Sequence, residues 1–140
     1  AVPNPTKQVV NGKRVLVVDD IEVNRMILKK ILSTLGAACE TAENGQEALD
    51  KFVSSAPGEY DLILMDVQMP IMDGYTASRA IRASSHPSAK TVAVIAMTAN
   101  AFVDDVREAL AAGMDAHIAK PIVVNKMTDI IQDVLDHKRR

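Results

Sequence analysis

The sequence predicts an α/β fold in which a parallel β-sheet is covered by helices on both faces. Two observations lead to this fold class. Short apolar segments alternate along the chain with segments whose apolar residues recur at helical spacing. A strand that is apolar throughout is buried on both of its faces, as in parallel sheets. The length of 140 residues fits one domain of this kind.

The first half of the chain contains two predicted strands and two predicted helices. RVLVV (14–18) is apolar throughout, and apolar residues at helical spacing follow over 23–35 until Gly36 ends the helix. ACETA (38–42) is a short strand, and an Asn-Gly turn leads into a helix over 46–54. These segments form a β-α-β-α unit.

A Pro-Gly break then opens the second half, where three more apolar segments alternate with three helices. The predicted strands are 62–65 (LILM), 92–97 (VAVIAM) and 116–119 (AHIA), and the predicted helices are 75–83, 103–112 and 124–137. Crossovers between parallel strands are right-handed. Ligands of such sheets bind beyond the carboxyl ends of the strands.

The remaining residues and the composition exclude several classes of function. We assign 1–13 to a linker, 14–137 to the domain and 138–140 to a tail. The net charge of −2 and the low aromatic content argue against nucleic acid and membrane contact by this domain. The single Cys39 excludes an internal disulfide and indicates a reducing, cytoplasmic location. That location is the cytoplasmic side if the chain belongs to a membrane-bound protein.

Polar residues collect where four of the predicted strands end. Asp19 and Asp20 follow the first strand, Asp66 the third, Thr98 the fourth and Lys120 the fifth. A single Asp after a strand is commonly a helix cap or a turn residue. Three carboxylates in one crevice repel one another, however, and an oxygen-only ligand set suits Mg²⁺. These residues therefore predict a magnesium site.

The same five residues match the requirements of phosphoryl transfer to an aspartate, which depends on positioning and charge neutralisation. Asp66 ends a buried central strand and is the expected nucleophile. Asp19 and Asp20 are expected to hold the metal. Lys120 would neutralise the phosphoryl oxygens, and the Thr98 hydroxyl would donate a hydrogen bond to one of them.

Four motifs resemble the receiver domain of response regulators in two-component systems. They are LVVDD (16–20), MDVQMPIMDG (65–74), AMTANA (96–101) and AKPI (119–122), and the resemblance covers about 13–137. The amino-acid sequences of these motifs are most similar to those of receivers attached to hybrid histidine kinases. The resemblance implies a flavodoxin-like, doubly wound sheet with strand order 2-1-3-4-5 and five helices.

The resemblance also implies roles for individual residues. Asp66 would be the phosphoacceptor, and the backbone carbonyl of Gln68 would join the three aspartates as a metal ligand. Thr98 and His117 would form a switch, where His117 replaces the Tyr or Phe common in the family. An alternative is that His117 is an edge residue without a switching role. The Lys120–Pro121 peptide bond is expected to be cis.

The implied partner is a histidine kinase or a histidine-containing phosphotransfer domain. It would contact the first helix near Val23, Asn24 and Met26, whereas Ile27 is expected to face the core. Phosphorylation would switch the surface of helix 4, strand 5 and helix 5. The isolated domain is expected to be a monomer that catalyses its own phosphorylation and slow dephosphorylation and is not itself a kinase. His86 and His137 are expected to face solvent.

Three other functions remain open from the residues alone. A Mg²⁺-dependent aspartate phosphohydrolase would carry a second Asp as acid/base, but Val67 and Gln68 follow Asp66. A flavin-binding module would need a Ser-, Thr- and Gly-rich loop where this chain has DDIEVNR. A receiver that serves only as an interaction surface would not need all five polar residues.

Overall fold

The computed structural model describes residues 10–99 and 103–138, which form a five-stranded parallel sheet in the order β2-β1-β3-β4-β5. The strands are β1 (Arg14–Val18), β2 (Ala38–Ala42), β3 (Leu62–Asp66), β4 (Ala93–Thr98) and β5 (Ala116–Ala119). The helices are α1 (Glu22–Thr34), α2 (Gly45–Val53), α3 (Gly74–Ala83), α4 (Val103–Ala111) and α5 (Val124–Lys138). The predicted fold class and strand order are confirmed, and β3 is the central strand, with β1 on one side and β4 on the other.

The sheet separates two apolar cores, as expected for strands that are buried on both faces. One core contains Phe52 of α2 and Ile81 of α3, and the other contains Leu32 of α1 and Ile131 of α5. All five residues of β3 and all six of β4 are buried. The central strands are therefore held from both sides, and the residues at their carboxyl ends have a fixed position.

Helix α1 packs on the sheet with a different face from the one that the sequence predicted. Leu28 and Leu32 face the sheet, whereas Val23 and Ile27 are 56% and 53% exposed. The expectation that Ile27 faces the core is therefore wrong. Two apolar stripes share this helix, and helical spacing alone does not distinguish the stripe that packs from the stripe that stays in solvent.

The chain segment just before β1 also packs on the domain, although the sequence assigned 1–13 to a linker. Val10 is fully buried, and its carbonyl accepts the backbone N–H of Lys13 at 3.0 Å. The Gly12 N–H donates to the carbonyl of Gly36 at the end of α1. At the other end, α5 includes Lys138, which forms an ion pair with Asp115 at 3.1 Å. Residues 1–9 and 139–140 lie outside the described residues.

His86 is half-buried, which differs from the expectation that it faces solvent. Its ring lies 4.5 Å from the Phe52 ring. Nδ1 accepts the Ser88 backbone N–H at 3.0 Å, and Nε2 lies 2.8 Å from the Ser55 carbonyl. His137 is exposed as predicted. Within the described ranges, no helix combines the length and the apolarity that crossing a membrane requires.

Candidate functional site

The carboxyl ends of β1 and β3 bring three aspartates together. Val18 pairs with Met65 in the parallel register, so Asp19 and Asp66 follow at neighbouring positions of adjacent strands. Asp20 comes next along the chain. One carboxylate oxygen from each of these three residues lies within 4.8 Å of the others. The topology thus creates an acidic cluster at the edge where open α/β sheets bind ligands.

Asp19 is nearly inaccessible to solvent and is oriented by several donors. The Ile21 backbone N–H donates to Oδ1 at 2.9 Å. The Asn24 side-chain amide lies 3.5 and 3.4 Å from the two carboxylate oxygens, and Lys120 Nζ lies 3.4 Å from Oδ2. This carboxylate therefore has a fixed direction. Asp20, in contrast, is exposed at the mouth of the cluster.

Asp66 ends β3 and is buried, with Lys120 beside it. Lys120 Nζ lies 3.2 Å from Oδ1, and the Gln68 backbone N–H donates to the same oxygen at 3.4 Å. Burial raises the pKa of the Asp66 carboxyl above its ordinary value; the Asp19 charge raises it further, while Lys120 and the Gln68 N–H oppose the rise. The ionised form of the Asp66 carboxyl is therefore held at an electrostatic cost.

The charge of this cluster fits a divalent cation. Three ionised carboxylates and the one ammonium that bridges Asp19 and Asp66 give a formal charge of −3 + 1 = −2. All donors are oxygens, which is the ligand type that Mg²⁺ prefers. Asp19, Asp20 and Asp66 are thus suitable to hold Mg²⁺, and Gln68 lies beside them through its backbone contact with Asp66.

The remaining predicted site residues lie on β4, on β5 and just after β5. Thr98 ends β4 and is buried, and its carbonyl accepts the Lys120 N–H at 2.8 Å. This bond places Lys120 at the same edge of the sheet as the aspartates. The Lys120–Pro121 peptide bond is cis. His117 pairs with Ala96 of β4 and is half-buried.

The loop between β3 and α3 folds tightly against the end of β3. The Gly74 N–H donates to the Val67 carbonyl at 3.0 Å, and a Cβ at position 74 would lie 2.2 Å from the Asp66 carbonyl oxygen. Gly74 thus permits a close approach to the Asp66 backbone that no other residue would allow.

Ile71, in the same loop, has a φ of 71° and is 82% exposed. A β-branched residue is rarely found in this left-handed conformation.

The sequence assigned neither Asn24 nor Arg25 a role in supporting Asp19. The side chain of Asn24, a residue predicted to lie in the partner contact, also lies against the Asp19 carboxylate. The Arg25 guanidinium donates to the Asp19 carbonyl at 2.7 Å and lies 3.5 Å from Glu43. A basic residue in the first turn of a helix opposes the helix dipole, and this was the available sequence signal for Arg25.

Helix α1 carries an exposed apolar surface, and one of its residues, Ile27, lines a pocket together with Asp19 and Lys120. Val23, Met26 and Ile27 are exposed, as is Val123 after β5. A pocket beside them is lined by residues of α1, by Asp19 and Lys120 of the cluster, and by Ile122. A molecule that reaches Asp66 from this side would therefore contact both charged and apolar side chains.

Comparison with known proteins identifies a family and a curated protein that are similar to this chain. The family model for the response regulator receiver domain matches residues 15–132. The hybrid signal transduction histidine kinase L of Dictyostelium discoideum is 43% identical over 120 residues, which are 85% of this chain and 7% of that protein. The chain thus spans a small part of this curated relative's length.

Two solved structures are similar to the whole fold. The receiver domain of the sensor histidine kinase PA1611 from Pseudomonas aeruginosa PAO1, which has a magnesium ion coordinated in its active site cleft, is 34% identical, with a TM-score of 0.78 and coverage of 89% of this chain and 98% of that one. The receiver domain of Ssk1 from Saccharomyces cerevisiae, in complex with the histidine phosphotransfer protein Ypd1, is 27% identical, with a TM-score of 0.78 and coverage of 90% of each chain.

Proposed function

The chain belongs to the response regulator receiver domains of two-component phosphorelay systems, and on that premise we propose that Asp66 accepts a phosphoryl group from a phosphohistidine in a Mg²⁺-dependent reaction. The observation that carries the proposal is the cluster of Asp19, Asp20 and Asp66, in which Lys120 bridges the two buried carboxylates. This arrangement combines a nucleophile, a set of metal ligands and a cation within a few ångströms.

The metal ligands would be the carboxylates of Asp19, Asp20 and Asp66 together with the backbone carbonyl of Gln68. When bound there, Mg²⁺ supplies charge neutralisation for the oxygens of the phosphoryl group. The contacts that orient Asp19 support this assignment, because a ligand held in place needs little reorganisation to bind. The relative from Pseudomonas aeruginosa, with its magnesium ion in the active site cleft, supports the choice of metal.

In the transfer step, an Asp66 carboxylate oxygen attacks the phosphorus atom. An O–P bond forms while the P–N bond to the donor imidazole breaks, and the electron pair of that bond leaves with the imidazole nitrogen. The Lys120 ammonium lies 3.2 Å from Asp66 before the reaction and would turn to the phosphoryl oxygens after it. Thr98 ends the adjacent strand and would donate its hydroxyl to one of these oxygens.

The donor would be a histidine kinase or a histidine-containing phosphotransfer domain. The exposed apolar residues Val23, Met26 and Ile27 of α1 would form the contact with such a partner, and Ile27 lines a pocket together with Asp19 and Lys120. The complex of the similar Ssk1 receiver with a histidine phosphotransfer protein supports this class of partner. The similarity to a hybrid histidine kinase of Dictyostelium discoideum supports a place for this chain within such a kinase. We further propose that the receiver acts on the cytoplasmic side and is itself monomeric.

The output would be a shift between two conformations. Thr98 and His117 would move together after phosphorylation and change the surface formed by α4, β5 and α5. The half-buried position of His117 on β5, paired with β4, supports this role. The size of the shift equals the differential stabilisation of the two conformations by the phosphoryl group.

The test is intact-mass analysis after incubation with acetyl phosphate, with and without Mg²⁺. We expect one added phosphoryl mass that requires both Mg²⁺ and Asp66, so that Asp66→Ala abolishes it. Lys120→Ala should bind Mg²⁺ almost as the parent does but fail to signal. An adduct that is indifferent to Asp66 would refute the proposal. The absence of any adduct, together with the absence of beryllofluoride binding, would favour a receiver that serves only as an interaction surface.

A further inference from the structure

Arg25 occupies an electrostatically unfavourable position. It lies in the first turn of α1, where the partial positive charge of the helix N-terminus disfavours a cation. Its side chain is only 12% exposed, so the guanidinium also loses most of its hydration. Because both the helix dipole and the loss of hydration disfavour the charged side chain here, Arg25 needs a compensating favourable interaction elsewhere in the molecule.

The contacts of Arg25 show where this gain arises. Nη1 donates to the Asp19 backbone carbonyl at 2.7 Å, which is a short, charge-assisted hydrogen bond. Nη2 lies 3.5 Å from the Glu43 carboxylate, which is exposed to solvent. An ion pair with an exposed partner contributes little stability. The bond to the Asp19 carbonyl is therefore the stronger of the two interactions.

That carbonyl belongs to the peptide unit that joins Asp19 to Asp20. The N–H of Asp19 is also fixed, since it donates to the Ala42 carbonyl at 3.1 Å, and Ala42 directly precedes Glu43. Arg25 thus connects the Asp19 carbonyl to Glu43, and the Asp19 N–H connects the same segment to Ala42. Both contacts hold the segment of the two aspartates to the end of β2. A change in the ψ angle of Asp19 would turn this carbonyl away from Arg25 and would redirect the Asp20 carboxylate relative to that of Asp19.

We propose that Arg25 is a positioning residue that fixes the Asp19–Asp20 peptide and thereby sets the Mg²⁺ affinity of the acidic cluster. The inference rests on the proposed function, because it assumes that these carboxylates bind the metal. Arg25 acts through the backbone of a ligand and does not itself contact the ion. Its removal should therefore weaken Mg²⁺ binding without removing any ligand atom.

The sign of the effect separates positioning from simple electrostatics. Arg25 is a cation near the acidic cluster, so its loss would strengthen Mg²⁺ binding if only Coulomb interactions mattered. If Arg25 positions the ligands, its loss weakens binding despite the removal of a positive charge. Residues that orient metal ligands typically change metal affinity roughly 10–100-fold when they are mutated.

The experiment is a calorimetric titration of MgCl₂ into the 140-residue chain at a temperature at which every variant is folded. Asp20→Asn serves as the reference for a lost ligand. We expect Arg25→Met to weaken Mg²⁺ binding by about tenfold or more, and Arg25→Lys to recover part of the loss by donating to the same carbonyl. Glu43→Gln breaks the ion pair but leaves that carbonyl contact intact, so it should change the affinity by about twofold at most.

The outcomes distinguish this inference from the proposed function. If the parent binds Mg²⁺ and Arg25→Met binds it equally well or more tightly, the positioning role is overturned while the metal site stands. An equal loss in Arg25→Met and Glu43→Gln would also overturn it, because the ion pair would then be responsible. If the parent does not bind Mg²⁺, the proposed function fails and the inference fails with it. Should Arg25→Met not fold, the comparison of Arg25→Lys with Glu43→Gln decides the question.

Discussion

Replacing Gly74 by alanine should destabilise the fold and at the same time disturb Asp66, the proposed phosphoacceptor. A Cβ at this position would lie 2.2 Å from the Asp66 carbonyl oxygen and 2.9 Å from the Val67 Cα, where ordinary contacts begin at 3.4 Å. The atoms that it meets belong to the backbone at the end of β3, which is buried between two cores. They cannot move aside as the end of a flexible side chain would.

The size of the effect follows from this overlap. Relief of the closest contact requires a displacement of about 3.4 − 2.2 = 1.2 Å between α3 and the end of β3. Forcing an additional group into a packed region typically costs about 1–3 kcal/mol. Alanine returns less than the roughly 1 kcal/mol that its higher propensity gives in a helix interior, because position 74 is the first residue of α3. We therefore expect Gly74→Ala to lower the free energy of unfolding by about 2 kcal/mol.

The assay combines urea unfolding with the rate of phosphorylation by acetyl phosphate. Gly58→Ala is the matched control, because Gly58 has a φ of 73° but nothing lies within 4 Å of its Cβ position. It should cost about 0.5–1 kcal/mol, because the left-handed conformation disfavours alanine while glycine loses more conformational entropy on folding, and it should leave phosphorylation unchanged. In Gly74→Ala, a displacement of about 1 Å at Asp66 should slow phosphorylation roughly 100-fold. Phosphorylation of Gly74→Ala at the parent rate would refute the reasoning.

Three further substitutions test other parts of the structure. The pKa of Asp66 is raised in the folded state, so its ionised form lowers stability above that pKa. Asp66→Asn should therefore stabilise the protein at pH 7 in EDTA, with a gain that shrinks as the pH falls through the Asp66 pKa; an unchanged melting temperature at pH 7 would contradict this. Ile71→Gly should raise the free energy of unfolding in urea by about 0.5–1 kcal/mol, because it relieves an exposed residue with a φ of 71°; destabilisation would show that the loop needs the side chain. Arg82→Met should cost about 3 kcal/mol in the same assay, because this half-buried guanidinium donates to three backbone carbonyls and to Asp115; a loss below 1 kcal/mol would show that water replaces these bonds.

The family resemblance was predicted correctly because it depends on local motifs, each of which lies where a strand ends, and the strand order followed from that resemblance. Strands β3 and β4 are apolar up to their last residue, which made them recognisable from the sequence. The proximity of Asp19 and Asp66 follows from the pairing of β1 with β3. Once the strand order is known, the adjacency of these two carboxylates can be predicted from their positions at the strand ends alone.

The sequence by itself determined the alternation of strands and helices, the residues at the strand ends and the family to which the chain belongs. Only the tertiary structure decided the orientation of α1, the packing of His86 on Phe52 and the contact between Arg25 and the Asp19 carbonyl. The physical reason is that apolar periodicity and turn residues act within a few positions of one another. Helix rotation and side-chain contacts between elements depend on surfaces that meet only after the sheet has assembled.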